Sequence, residues 1–406
     1  MINETGVTNI LPRLRRIATA LVLKVLGLFG PRKQGPVPDA VIRRIVVFRF
    51  GGIGDVVTVT GLIRTLRQVF ASAEITLVTT PLCAPVVKEN PDIDRVIAGE
   101  KIWLRLSPRR NLANLRRMRR ISEVPYDLAF FTHNDVFSLF YAFFLRARHK
   151  VGFETDDRGF DFALTHSVRI PGHESPRTKE HEKRHVNDHF HDLLRAFRGA
   201  DIPLSQPRLY LSDSEVERAR AWLAERRQGR PLLVLTPGGT EALKIWPIDR
   251  FAALAERSVR EFGASVLVLG GEEEARLADR FVSIGPGVCF AAGKLPLREA
   301  IALLGLADAV IGSDTGLIHA AAALGAATVT VFGPTPATVY GDQSERNVIF
   351  QAELDCVPCK RTVCMLLPPE AIGETPPCLA AIGVGEVVTA VRRLLTPQAA
   401  SRPARL

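Results

Sequence analysis

No apolar run in this chain reaches the roughly 18–20 residues needed to cross a bilayer. The longest candidate, residues 17–30, is short and carries Lys24. Aromatic residues supply only 7% of the sequence; with no RNA- or DNA-binding signature, that argues against a nucleic-acid partner. No Gly-Lys-Ser/Thr follows a glycine turn, so a Walker phosphate loop is excluded. No well-spaced GxGxxG follows a strand, which argues against a dinucleotide redox enzyme. The six cysteines are unevenly placed. Cys83 and Cys289 stand alone in apolar surroundings and read as core thiols.

At 406 residues the chain is too long for one ordinary core, so two main domains are expected. The formal net charge of +10 calls for an anionic partner, either a phosphorylated substrate or an anionic membrane face. Residues 17–30 follow Arg13, Arg15 and Arg16 and precede Arg32 and Lys33. An amphipathic helix lying on an anionic membrane is the favoured reading. A helix packed on the protein body and a secretory signal peptide are the alternatives.

The organisation expected is an arm and linker over 1–40, a first domain over 41–205 and a second over 206–406. Gly30–Asp39 is a linker rich in proline and glycine. Arg44–Phe50 is a β-branched and aromatic run, hence a buried strand. Val56, Val59, Ile63, Leu66 and Phe70 then recur at helical spacing, and Glu74–Thr79 is a strand again. That order is a βαβ unit of a parallel sheet. Tyr126–Thr132 reads as a strand and Val136–Arg146 as a helix. Lys101–Arg120 holds eight basic residues and no acidic one; it is a solvated helix face or a surface for a phosphorylated acceptor or membrane. After Pro203–Pro207 a second series begins. Strands are expected at Leu232–Thr236, Ser265–Gly270, Ala309–Gly312 and Thr328–Phe332. Helices are expected at Ile248–Phe262, Glu272–Ile284, Leu297–Leu306 and Thr315–Leu324. Two tandem βα sheets imply a ligand cleft between the domains.

Four turns carry chemistry. The first is Gly51-Gly52-Ile53-Gly54-Asp55, where glycines let backbone approach a ligand. Asp55 is either a helix N-cap or a general base at the end of the first strand. The second is Thr236-Pro237-Gly238-Gly239-Thr240 with Lys244-Ile245-Trp246-Pro247, whose amides, hydroxyls and ammonium suit a diphosphate. The third runs from Gly312 through Asp314, Thr315 and Gly316 to His319. Its helix start favours an anion, while Asp314 suits a cap or a partner for a lysine or sugar hydroxyl. His319 reads more readily as a satisfied structural histidine. The fourth is Gly270-Gly271-Glu272-Glu273-Glu274, a strand end with acids that either hold ribose hydroxyls or complement a helix dipole.

In this order the four turns resemble the heptosyltransferase family, the ADP-heptose–lipopolysaccharide transferases of glycosyltransferase family 9. The resemblance runs from about Arg44 to Leu395. It is carried by FRFGGIGD at Phe48–Asp55, PGGTEALKIWP at Pro237–Pro247, and the stretch Gly293–Pro334 with its GSDTGLIHAAAALG and VFGP. It implies an α/β GT-B fold, two Rossmann-like domains with parallel sheets facing across a cleft. It also implies inverting transfer of heptose from ADP-heptose to a hydroxyl of the lipopolysaccharide core. No catalytic metal is implied. The expected setting is cytoplasmic, either free or peripheral on the inner face of the inner membrane; the basic arm over residues 1–40 lies outside the resemblance. A protein acceptor and a non-catalytic nucleotide-sugar-binding protein are the alternatives. By position, Asp55 matches the family's base and Lys244 its phosphate lysine. Asp314, Thr315, Gly316 and His319 match the sugar and diphosphate segment, and Thr240 falls in the donor turn. Glu274 best matches the ribose glutamate. Gly51, Gly52, Gly54, Gly238 and Gly239 supply loop backbone. The chain departs from the family in having Thr60-Gly61 where Thr-Pro is usual, and Asp314-Thr315-Gly316 in place of Asp-Ser-Gly.

Cys356, Cys359, Cys364 and Cys378 lie within 23 residues. Their knuckle-like spacing suits a structural tetrahedral metal, zinc or iron; metal-free thiols and disulfides are the alternatives. Histidines 173, 181, 185, 189 and 191 read as a polar helix surface.

Overall fold

The computed structural model describes residues 30–39, 41–99, 116, 120–133, 141–154, 160–170, 184–359, 361, 363–368, 371 and 374–396. The expected membrane-surface helix of residues 17–30, all but its last residue, and most of the basic run 101–120 lie outside them. Among the described residues, no helix is long and apolar enough to cross a membrane.

The chain divides into two compact units. One takes the segment up to Gly51 with Val59–Ala84 and Pro91–Ser205; the other takes Gly52–Thr58, Pro85–Asn90 and the chain from Gln206. Each carries a six-stranded, all-parallel sheet. The fold is α/β.

In the first unit the strands are β1 (Arg44–Phe48), β2 (Glu74–Thr79), β3 (Arg95–Ala98), β4 (Tyr126–Phe131), β5 (Ala147–Phe153) and β6 (His166–Val168). Their order across the sheet is β3-β2-β1-β4-β5-β6. Winding therefore reverses between β1 and β4, which is where such sheets open a crevice at their carboxyl ends. The helix Ile53–Val69 follows β1 and buries Val56, Val59, Ile63 and Leu66, four of the five predicted face positions, completely. Phe70, the fifth, lies just beyond its end.

In the second unit the strands are β7 (Leu232–Thr236), β8 (Ser265–Val268), β9 (Val288–Phe290), β10 (Ala309–Ser313), β11 (Thr328–Phe332) and β12 (Asn347–Gln351). Their order is β12-β11-β10-β7-β8-β9, so the reversal lies between β7 and β10. Leu233, Leu235, Val266, Val268, Ile311, Val329 and Val331 form the sheet's share of the core. Both faces of a parallel sheet are covered, which is why these strands read as continuous apolar runs.

Three expectations need correction. Glu272–Ile284 is not one helix: Glu272–Leu277 is a 3₁₀ turn and only Ala278–Val282 is α-helical. The histidine stretch is not a polar surface throughout. His185 accepts the Asn187 N–H as the N-cap of the helix Val186–Arg198, and His185 and His189 are buried. Cys289 is half-buried rather than a core thiol, unlike Cys83, which is fully buried.

Strand β5 escaped the sequence reading because its centre is polar. His149 and Lys150 are buried there, and the Lys150 ammonium donates to the Ala142 carbonyl at 2.6 Å. Burial lowers the Lys150 pKa to about 8.

A largely buried ion pair ties the helix Asp213–Ala224 to the helix Leu297–Gly305. Arg298 grips Glu215 through Nε at 2.8 Å and Nη2 at 2.5 Å, and Nη2 also donates to the Tyr210 carbonyl. The Arg298 hydrogen bonds hold the Glu215 carboxyl at about 2, below its ordinary 4.5. A lowered folded pKa stabilises the protein above the unfolded value and loses that stabilisation as the carboxylate is protonated. Stability is expected to fall as pH drops from about 4.5 to about 2. Glu215→Gln should flatten that dependence; urea midpoints measured across the window check it.

Candidate active site

Strand β1 delivers the first turn from a packed aromatic base. Phe48 stacks on Phe131 at 4.8 Å and Phe50 on Tyr141 at 5.2 Å. The buried Arg49 donates to the Thr132 carbonyl at 2.7 Å, tying the carboxyl ends of β1 and β4 together. The Cys83 thiol donates to the Gly51 carbonyl. Asp55 is not the N-cap of the helix Ile53–Val69. It is the third helical residue, and its carboxylate reaches back to accept the Gly52 N–H at 3.0 Å. This is the carboxylate half of a capping box. It holds the half-exposed Asp55 carboxyl at the carboxyl end of β1.

Three of the predicted turns meet in the second unit. The turn after β7 and the turn after β10 leave adjacent strands at the point where winding reverses. Gly312 lies directly against Thr236, and a side chain there would collide with the Thr236 hydroxyl. A Cβ on Gly239 would stand 3.1 Å from the Thr315 methyl. The Glu274 carboxylate lies over Gly238 and Gly270 and accepts the Gly271 N–H at 2.7 Å. That separates Glu274 from Glu272 and Glu273, which point into solvent. Thr240 is exposed at the rim of the turn.

Lys244 ends a short 3₁₀ turn, and its ammonium lies 2.8 Å from Glu241. Glu241 is 45% exposed, so the pair is worth under about 1 kcal/mol and yields readily to a stronger anion. The turn is anchored just behind. The Trp246 amide donates to the Ser313 hydroxyl, and its fully buried indole donates to the Ile382 carbonyl. Arg250 ties the same region down through the Leu379, Ala380 and Ile382 carbonyls.

Asp314 is the most enclosed charge at the site, with its side chain 8% exposed. His319 Nε2 lies 3.0 Å from one carboxylate oxygen, and the Thr335 hydroxyl donates to the other at 2.6 Å. Burial alone would push the Asp314 carboxyl up. The His319 hydrogen bond and charge, the Thr335 hydroxyl and the Lys244 charge outweigh it and hold the pKa below the usual value. Thr315 is the N-cap of the helix Gly316–Ala323, and its side chain makes no capping bond. The first N–H groups of a helix have no intrahelical acceptor and face an anion favourably. A glycine turn, a lysine and an open helix start therefore converge where two strands diverge. That arrangement suits a phosphorylated ligand.

Residues 114–369 match the family model of glycosyltransferase family 9 (heptosyltransferase). The chain belongs to that family. This glycosyltransferase is 25% identical over 323 residues to lipooligosaccharide heptosyltransferase 2 of Haemophilus ducreyi, spanning 76% of this chain and 88% of that one. Its fold is that of the E. coli ADP-heptose LPS heptosyltransferase II, with a TM-score of 0.69 at 20% identity over 87% and 98% of the two chains. It is also similar to E. coli heptosyltransferase WaaC with ADP-2-deoxy-2-fluoro heptose, with a TM-score of 0.59 at 17% identity over 86% and 99%. These folds are GT-B, as the resemblance implied.

The four cysteines expected to hold a structural metal come together in the fold. Cys356, Cys359, Cys364 and Cys378 line one small apolar cavity with Leu243 and Pro334. The thiols are free, and among the described residues no group of three or more histidine, cysteine or acidic side chains is arranged to hold a metal ion. Burial pushes the Cys378 thiol up, and the other three cysteines add to the shift. No step of the glycosyltransferase chemistry is routed through this loop. Its contact with Leu243 places it beside the Lys244 turn.

Sequence reasoning missed two residues. Ser313 precedes Asp314 and fixes the Trp246 backbone, and Thr335 follows the VFGP stretch and holds Asp314. The available signal for Thr335 was a hydroxyl just past the end of the strand beside β10. Because a Cβ at Gly312 meets Thr236, Gly312→Ala should cost the folded state about 1–3 kcal/mol by overpacking. Adding Thr236→Ala should recover most of that loss, as read by denaturant unfolding.

Proposed function

We propose that the chain moves a heptose from ADP-heptose, with inversion, to a hydroxyl of the lipopolysaccharide core. The observation that carries the reading is the convergence of Gly238, Gly239, Lys244, Asp314 and the Thr315 helix start at the reversal point of the second sheet. The names of the relatives support the sugar and acceptor, and the WaaC complex supports the donor.

In this reading the second unit holds the donor. Glycine-turn amides, Lys244 and the N–H groups at the Thr315 helix start take the diphosphate. Glu274 takes ribose hydroxyls, with Thr240 at the rim. Asp314 cannot take phosphate, being an anion itself. It keeps Lys244 oriented and, with His319, faces sugar hydroxyls. As the bond from the anomeric carbon to the diphosphate breaks, negative charge grows on the leaving oxygen and positive charge on the sugar. Preorganised donors act most strongly on charge that develops in this way. The acceptor oxygen forms the new bond from the opposite side, its proton passes to Asp55, and ADP leaves. The capping bond from Gly52 orients the Asp55 carboxyl for that proton transfer. No metal is required in this scheme, because the leaving charge is met by Lys244 and backbone amides. A lipid-linked acceptor and the chain's positive charge fit work at the inner face of the cytoplasmic membrane.

Asp55→Ala is expected to lower kcat by roughly 10²-fold or more while ADP binding persists. Lys244→Ala is expected to raise the donor KM and lower kcat together, by roughly tenfold or more in kcat/KM. Steady-state kinetics with calorimetric ADP titration separates the two; normal turnover in Asp55→Ala removes the base. To test the reaction itself, purified protein is offered ADP-heptose with a lipid core or with a protein acceptor, and products are weighed by mass spectrometry. Heptose added only to protein, or transfer only from another nucleotide sugar, would replace this reading.

A further inference from the structure

The first unit has a second concave site, at the end of its sheet opposite the glycine turn. Strands β1, β4 and β5 are neighbours, and Arg44, Tyr126 and Ala147 open them. Beneath these amino ends lies a cavity of about 530 Å³ lined by Arg43, Arg44, Tyr126, Asp127, Arg146 and Arg148. Because the strands are parallel, this end is a full strand length from Gly51, on the order of 20 Å away. It is separate from everything assigned to sugar transfer.

The charges there are unbalanced. Four guanidinium groups face the opening against one carboxylate, Asp127. That carboxylate is already engaged, since one of its oxygens accepts the backbone N–H groups of Arg43 and Arg44 at 2.8 and 3.0 Å. Arg44 has a loose outside partner in Glu74 at 3.5 Å, which Glu74 shares with Arg95 at 3.7 Å. Among the described residues, the guanidinium groups of Arg43, Arg146 and Arg148 make no hydrogen bond or ion pair. Gathering like charges round one hollow costs free energy unless something answers them. Guanidinium forks match the oxygens of phosphate in a bidentate way. The hollow is also of the size that takes a small organic ligand.

We propose that this pocket binds a multiply charged phosphate group, carried by a free phosphorylated molecule or by a phospholipid headgroup. The site does not depend on the assignment of the donor or the base.

The test uses the full chain and inorganic pyrophosphate as probe. Calorimetric titrations compare the wild type with Arg146→Ala/Arg148→Ala and, as a second variant, Arg43→Ala. ADP is titrated into each protein as a control for the donor site and for folding. Pyrophosphate affinity is expected to weaken about tenfold or more in the double variant and to a lesser degree in Arg43→Ala, with the ADP isotherm unchanged. Identical pyrophosphate isotherms in all three proteins, with ADP binding intact, overturn the site. A pyrophosphate loss that appears only together with an equal loss of ADP binding also overturns it, because the anion then occupies the donor site. Cosedimentation with vesicles of equimolar phosphatidylglycerol and phosphatidylcholine, against phosphatidylcholine alone, identifies the source. Vesicle binding that the double variant loses assigns a headgroup, and vesicle binding equal in both proteins assigns a free phosphorylated molecule.

Discussion

A carboxylate kept ionised away from water is the constraint on which the second unit's site rests. Asp314 is almost enclosed, yet its charge survives because His319 and Thr335 each hold one oxygen and Lys244 adds a positive field. An unpartnered carboxylate in that position would be costly. Each partner comes from a different element: the helix after β10, the turn after β11, and the 3₁₀ turn before the helix Ile248–Phe262. Satisfying one charge therefore fixes the relative positions of three chain segments. The Ser313 hydroxyl, one residue away, does the same for the backbone at Trp246. The result is a turn whose lysine is held near an anion site without being consumed by its own acid.

The two sheets repeat a single solution with different chemistry. In each, winding reverses beside the strand that carries a glycine turn: β1 in the first unit, and β7 with β10 in the second. Both turns let backbone come close to whatever binds. The turn after β1 presents an acid, Asp55, and no lysine. The turns after β7 and β10 present Lys244 and an open helix start. In the proposed transfer, that division supplies a base for one substrate and an anion hold for the other. The arginine pocket at the far end of the first sheet belongs to neither task, and its charge is the reason to treat it separately.

Much of this was legible in the residues. Apolar strands buried on both faces announce themselves, so Leu232–Thr236, Thr328–Phe332 and Glu74–Thr79 match the observed strands end to end. Glycines beside strand ends marked all four turns. Elements whose signal is weak were not seen: β6 and β9 are three residues long, and β5 places His149 and Lys150 where an apolar residue is usual. The glutamate run showed the same weakness. Three acids suit a helix start equally well, and only the approach of Gly238 and Gly270 sets Glu274 apart.

The sequence alone determined the class of fold, the family and the set of turns, because those follow from local pattern: strand period, glycine placement and the residues beside it. Tertiary structure decided which residues act on one another. That Thr335 joins His319 on Asp314, that the four cysteines line one cavity, and that four arginines at the starts of β1 and β5 surround one hollow are facts of distance between positions apart in the chain. Spacing along a chain carries no such information, since a hydrogen bond or a charge acts through space and the register of a sheet is set by the packing of the whole core.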